Sequence, residues 1–172
     1  RALAERLPET VPGVEQATNF DIFDDPLYVR TPDGSAFQSE RYLMTTMGPA
    51  FADLFTFELV AGVPLAEALT RPASVVLTRT SARQYFGDEN PIGQTLRIDT
   101  LDATVRAVVA DPPANSRVTF DLALQVNEMP NWGAYHFVRL AEGADPDAVM
   151  SQVSQVMNEV RPRRVDDPSV RQ

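Results

Sequence analysis

Apolar residues along this chain recur with two different periods, and the switches between them mark out the elements. Leu3 and Leu7 stand four apart with Glu5 and Arg6 outward, a short helical end that Pro8 and Pro12 should halt. Val14 to Phe23 predicts a strand with imperfect alternation. Leu27–Arg30 and Ala36–Met47 flank Thr31-Pro32-Asp33-Gly34, the signature of a hairpin. In its second arm Tyr42 and Met44 alternate with Arg41, Leu43 and Thr45, which predicts a half-buried strand. The period then changes. Phe51, Leu54 and Phe55 fall at i, i+3 and i+4 on a short helix from Gly48, with Pro49 in its first turn. Phe57–Ala61 leads through Gly62 to a second helical piece, Pro64–Leu69.

The run from Ser74 to Asp111 is the most strongly punctuated. Ser74–Leu77 is a β-rich entry and Thr78 an N-cap; Ala82, Tyr85 and Phe86 form the buried stripe of a helix. Gly87 should end that helix in the left-handed conformation. Asn90-Pro91-Ile92-Gly93 is a turn. Leu96 and Ile98 share one face of the next strand, and Val105, Ala107 and Val109 repeat the period of two. Pro112-Pro113 stops the ladder. Arg117–Val126 and Ala134–Ala141 predict two more strands, with Asn131-Trp132-Gly133 before the second. The final helix is well signalled: Asp145 caps, Pro146 takes the first position and Asp147 meets the positive dipole end. Val149, Val153, Val156 and Val160 are its stripe, with Met150 and Met157 beside them, and Pro162 stops it. Strands and short helices that alternate irregularly give an α+β class with a mixed or antiparallel sheet.

Composition narrows the function. With 172 residues, 44% hydrophobic and 23% charged, the chain can bury a core. Its net charge of −9 argues against nucleic acid and against adsorption on anionic lipid. All fifteen basic residues are arginine, and cysteine is absent, which excludes disulfides and thiolate metal sites. No apolar run is long enough for a membrane helix. The start lacks both an initiating Met and an apolar leader, so a fragment or processed form is expected.

Candidate chemistry is sparse. The single histidine, His136, sits within a predicted strand and suggests no nucleophile or partner by spacing. Asp21, Asp24 and Asp25 lack the ligand pattern and glycine of a calcium loop. Asp88, Glu89 and Asn90 follow a helix C-terminus, a poor place for anions. No phosphate loop, nucleophile elbow or zinc-protease motif appears. Asp111 belongs to no carboxylate pair that spacing selects. Trp132 reads first as a core plug; together with Met129 and Pro130 it also forms a candidate partner contact. The expectation is a chain with no catalytic residue, no cofactor and no metal.

The order of these pieces resembles the periplasmic core domain of MacB/FtsX-type ABC transporter permeases. The residues that carry the resemblance are the strand Ser74–Leu77, Thr78, Phe86-Gly87-Asp88, Pro91-Ile92-Gly93, the strand Thr95–Ile98, Val105–Asp111, and Asn115-Ser116. Upstream, Phe51, Leu54-Phe55 and Leu59–Gly62 are similar to the family's aromatic helix and glycine turn. Downstream, Asn131-Trp132-Gly133, Val138–Leu140 and Gly143–Pro146 are similar to its last strand and helix. The match spans about residues 8–160. It departs from the family at Arg161–Gln172, where a Pro-Leu-x-x-Ile-His-Leu-like segment is common.

The resemblance implies one extracytoplasmic domain over 1–172 on the outer side of the inner membrane. It implies two lobes, a porter-like α/β lobe and an inserted smaller lobe approximated by 47–100, and a frayed tail at 163–172. The partners it implies are a second permease copy, a cytoplasmic ATPase, flanking membrane helices, and a periplasmic adaptor or exported substrate. Its function would be to relay ATP-driven motion, with the chemistry in the ATPase. The alternative is a free-standing exported binding or adaptor domain, which predicts a concave apolar pocket.

Overall fold

A computed structural model of the chain describes residues 3–46, 48–127 and 135–160. The elements, in order, are α1 (Leu3–Thr10), β1 (Val14–Phe23), β2 (Leu27–Arg30), β3 (Ala36–Ser39), β4 (Tyr42–Thr45), α2 (Gly48–Leu54), β5 (Leu59–Gly62), α3 (Leu65–Ala68), β6 (Ser74–Thr78), α4 (Arg79–Phe86), β7 (Thr95–Ile98), β8 (Leu101–Val109), β9 (Leu122–Gln125), β10 (Tyr135–Leu140) and α5 (Pro146–Val160). The class is α+β with mostly antiparallel pairing, as expected. Two compact units divide the chain: residues 1–17 with 137–172, and residues 18–136.

In the larger unit the strands follow the path β1-β4-β9-β6-β8-β7-β2-β3, with β5 also on β8. β4–β9 and β6–β8 are parallel; β1–β4, β2–β3, β2–β7, β5–β8, β6–β9 and β7–β8 are antiparallel. Central β6 is buried along its whole length, as its unbroken apolar run requires. Its side chains alternate between two cores. Val75 and Leu77 join Leu122, Leu124, Val105, Leu96 and Ile98 under α4, which contributes Ala82, Tyr85 and Phe86. Val76 joins Ala123, Leu43, Ala107 and Val109 on the opposite face, under α2 and α3. That second core is aromatic. Phe51 of α2 lies 5.2 Å from Phe20, 5.1 Å from Phe55 and 6.0 Å from Phe57, which meets Phe120 at 5.3 Å. Each such pair adds about 0.5–1.5 kcal/mol beyond area burial.

Four expectations are corrected here. The arm 36–47 is not one strand. β3 pairs with β2, but the chain breaks at Glu40-Arg41 and β4 leaves to lie between β1 and β9. Within β4 it is Leu43 and Thr45 that are fully buried, while Tyr42 and Met44 pack partly against the α4 core, because both faces of the strand are covered. Val105 and Ala107 do not share a face. The β6–β8 register slips between Val75 and Val76, leaving Arg106 as the extra residue, so the parity of β8 flips there. Finally, Arg117–Val126 is a strand only from Leu122 to Gln125; Ser116 first closes a turn by accepting from the Val118 amide and donating to its carbonyl, both at 3.1 Å.

In the smaller unit α1 and α5 carry the buried Ala4, Leu7, Val149 and Val156, and β10 lies beside β1. Contrary to expectation, α1 runs through Pro8 to Thr10. A proline at that point removes one intrahelical bond. The turn still closes, since the Val11 amide donates to the Leu7 carbonyl at 2.9 Å and both side chains are buried. At α5 the Asp145 carboxylate accepts from the Asp147 amide at 3.0 Å, the predicted cap. Among the described residues no helix is long and apolar enough to cross a membrane.

Candidate functional site

The block Ser74–Asp111 places most of the residues singled out from sequence around α4. Thr78 ends β6 with extended backbone and caps the helix: its Oγ1 accepts from the Ser81 amide at 3.2 Å and lies 2.9 Å from Ser81 Oγ. A second cap comes from far along the chain. Asp111, just beyond β8, accepts from the Thr80 amide at 3.0 Å. Burial pushes the Asp111 carboxyl up, but it is outweighed by the Thr80 amide, the Thr80 and Thr78 hydroxyls and the nearby Arg79 charge, so the pKa falls below the usual carboxylate value. Two of the helix's orphan N–H groups are thereby satisfied from the ends of two neighbouring strands.

The helix floor is apolar. Phe86 is buried, as is Tyr85, whose ring lies 5.2 Å from Phe37. Burial, against a hydrogen bond with Ser39, pushes the Tyr85 phenol up to about 12. Gly87 closes the helix by donating to the Arg83 carbonyl at 2.8 Å. Its φ of 60° is positive as expected, but ψ is −120°, well outside the left-handed helical region. Asp88 is exposed. Asn90 Oδ1 accepts from the Ile92 amide at 3.1 Å, and Gly93, at φ 84°, donates to the Val105 carbonyl at 2.8 Å, so the turn containing Pro91 docks onto β8. Asn115 is exposed beside the Ser116 turn. These contacts bolt α4 to two parallel strands.

Of the other candidates, Asp24 forms an ion pair with Arg41 Nε at 2.5 Å, and that hydrogen bond holds its carboxyl below the usual value. Asp21 accepts from the Ile22 amide at 2.9 Å, and Asp25 is exposed. His136 is half-buried in β10. Among the described residues no group of three or more His, Cys, Asp or Glu could hold a metal ion. Met129 and Trp132 lie outside the described residues.

Two polar junctions were missed by the sequence reading. Asp121 Oδ2 accepts from Ser39 Oγ at 3.1 Å and from the amides of Glu40 and Arg41 at 3.2 Å each, which is what breaks the 36–47 arm. Gln125 is buried; its Oε1 accepts from the Gly48 amide at 3.0 Å and its Nε2 donates to the Thr46 carbonyl at 3.1 Å. A side chain on Gly48 would meet the Leu69 carbonyl oxygen at 2.2 Å. The partners are 77 to 82 positions apart, so no local pattern announces them. A polar residue inside an apolar strand run, as at Gln125, is the one signal that was available.

Comparison with known proteins bears on this arrangement directly. The family model described as MacB-like periplasmic core domain matches residues 1–156. Among solved structures, a domain of a protein described as a permease from Porphyromonas gingivalis is similar at 28% identity and a TM-score of 0.75, over 91% of this chain and 75% of that one. The periplasmic region of MacB from Actinobacillus actinomycetemcomitans is similar at 16% identity and TM-score 0.69, over 92% and 72%. The extracellular domain of the ABC-type transporter YknZ from Gram-positive bacteria is similar at 12% and 0.66, over 93% and 82%. The last two likenesses show the fold alone. No curated protein matches. The ordered motifs of the α4 block, the α+β architecture and a family match over residues 1–156 lead to one assignment: this chain belongs to the MacB-like periplasmic core domain family of ABC transporter permeases.

Proposed function

We propose that this domain is the extracytoplasmic relay of an ABC transporter permease. It carries ATP-driven motion outward from the membrane helices and contacts substrate or a periplasmic partner during export, with the chemistry left to a cytoplasmic ATPase. The observation that carries this reading is the family match over residues 1–156. The structure supports it in two ways. Thr78, Phe86, Gly87, Gly93, Asp111 and Ser116 are engaged in caps, turns and packing. And α1 and α5 belong to one unit, where Arg6 and Glu159 approach to 4.0 Å. In a domain inserted between two membrane helices, displacement of both ends is then delivered to the same small body. The chain passes from this unit into residues 18–136 within β1 and returns within β10.

The test uses the full permease with its ATPase in proteoliposomes. Residues 18–136 are replaced by a short Gly-Ser linker. ATP hydrolysis should persist and export should stop. Export at the unmodified rate would refute the relay reading.

A further inference from the structure

Between α3 and β8 lies a pocket of about 320 Å³, at the small end of the range that holds ligands. Its lining is mostly polar: Glu67 and Thr70 from the end of α3, Arg71 just beyond, Ser74 at the start of β6, and Arg106 on β8, with Val63 as part of the wall. The guanidinium groups of Arg71 and Arg106 enter no hydrogen bond or ion pair with any described residue, even though Glu67 stands four positions from Arg71. Ser74 is 2% exposed and its hydroxyl is likewise uncommitted among the described residues, whereas the Thr70 hydroxyl already donates to the Glu67 carbonyl at 2.9 Å.

Three departures from regular backbone surround the same pocket. Arg106 is the extra residue of the β8 bulge, so its direction is set by the irregularity rather than by the pleat. Gly62, at φ 90°, lets β5 pass so close that an added Cβ would meet the Arg106 carbonyl oxygen at 2.2 Å. Ala73, the residue before Ser74, is held at φ 58°, unfavourable for alanine, by donating to the Gln125 carbonyl and accepting from the Thr104 amide, both at 2.9 Å. Strain of this kind persists where the surroundings over-determine it, and it clusters at binding sites.

We propose that this pocket binds a small oxyanion, held by Arg71 and Arg106 with the Ser74 hydroxyl donating. Guanidinium forks match the geometry of phosphate and carboxylate oxygens. Two cations against the single carboxylate of Glu67 leave the pocket one positive charge in excess, which a monoanion neutralises. The overall acidity of the chain favours a freely diffusing small ligand over a bilayer surface. The site is independent of the relay reading and stands or falls apart from it.

The 172-residue chain is titrated with inorganic phosphate, with acetate, and with chloride at matched ionic strength, while arginine Nε–Hε and backbone amide signals are followed by NMR. Phosphate should shift Arg71, Arg106 and Ser74 saturably, with a Kd on the order of 1 mM or tighter. Acetate should displace it, and chloride should not reproduce it. Arg71→Ala should weaken binding about tenfold or more, and Glu67→Gln should tighten it by removing the opposing charge. Because Arg106 is itself the bulge residue, Arg106→Lys is used there, with the amide spectrum checked for an unchanged fold. Non-saturating shifts, equal shifts with chloride, unchanged affinity in Arg71→Ala, or weaker binding in Glu67→Gln would each overturn the proposal. So would capture of wild type, but not Arg71→Ala, by phosphatidylglycerol vesicles with no effect of free phosphate.

Discussion

Two short helices of the larger unit, α4 and α2, reach similar ends by opposite routes. α4 carries its own start and stop. Thr78 precedes it, Gly87 follows it, and the apolar stripe Ala82, Tyr85, Phe86 lies between. α2 is preceded in sequence by Met47, not a capping residue type. Its first amide is satisfied by Gln125, 77 residues later, and its first residue must be glycine because Leu69 of the α3 segment presses against it. Local chemistry specifies one helix; tertiary packing specifies the other. An error at α2 should therefore cost more than an error at α4, because it disturbs two segments at once.

That ordering can be broken by measurement. The largest loss is expected for Gly48→Ala. The added carbon meets backbone at 2.2 Å and Leu69 Cβ at 2.3 Å, neither of which can swing away. Overpacking of that kind costs about 3 kcal/mol, a fall in melting temperature of about 6–12 °C for a domain of this size. Gln125→Ala comes next. It leaves the Gly48 amide and the Thr46 carbonyl without their partner, at about 2 kcal/mol.

On the α4 side, Gly87→Ala should cost about 1–2 kcal/mol from backbone conformation alone, since nothing lies within 4 Å of the added carbon. Gly87→Asn sharpens the point. Asparagine is tolerated in the left-handed helical region, but at ψ −120° it should recover little, so near-wild-type melting of that variant would contradict the observed geometry. Thr78→Ala should cost about 1 kcal/mol.

The smallest effect is Asp111→Asn, under about 1 kcal/mol at neutral pH, and its sign is set by titration. The folded pKa of Asp111 is lowered, so its charged form favours the fold. That contribution is complete above the unfolded value, near 4, and is lost as pH falls through the lower folded value. Melting curves of the two proteins should differ at pH 7 and converge in acid. A gap that widens on acidification would contradict the capping role.

The same contrast accounts for what was legible in advance. β1 from Val14 to Phe23, the Asp145 cap of α5 and the Thr78 cap of α4 follow from signals within a few residues. The break at Glu40-Arg41 does not, because its cause is a carboxylate about eighty positions away. Nor does the bulge at Arg106. Val105, Ala107 and Val109 keep a period of two on paper, and only the pairing with β6 shows that one residue has been inserted. Pro8 shows the converse error, a strong local signal overridden because Leu7 and Val11 are buried on either side of it. The Thr78 cap and the turns at Gly87 and Gly93 were visible in the Ser74–Asp111 motifs. The Arg71–Arg106 pocket was not, since Arg106 completes a wall otherwise built from residues 63–74.

The central claim, that the domain moves with the nucleotide cycle, has a direct test. The chain contains no cysteine, so Thr100→Cys on the exposed β7–β8 turn gives a single attachment point for a spin label within this domain. In the full permease, with any cysteine outside this domain replaced and the protein reconstituted with its ATPase, pulsed electron–electron resonance then reads the distance between labels on the two permease copies that the resemblance implies. A distance distribution that shifts between the nucleotide-free and ATP-bound states is the predicted result; identical distributions in the two states, with ATP binding verified, would contradict it.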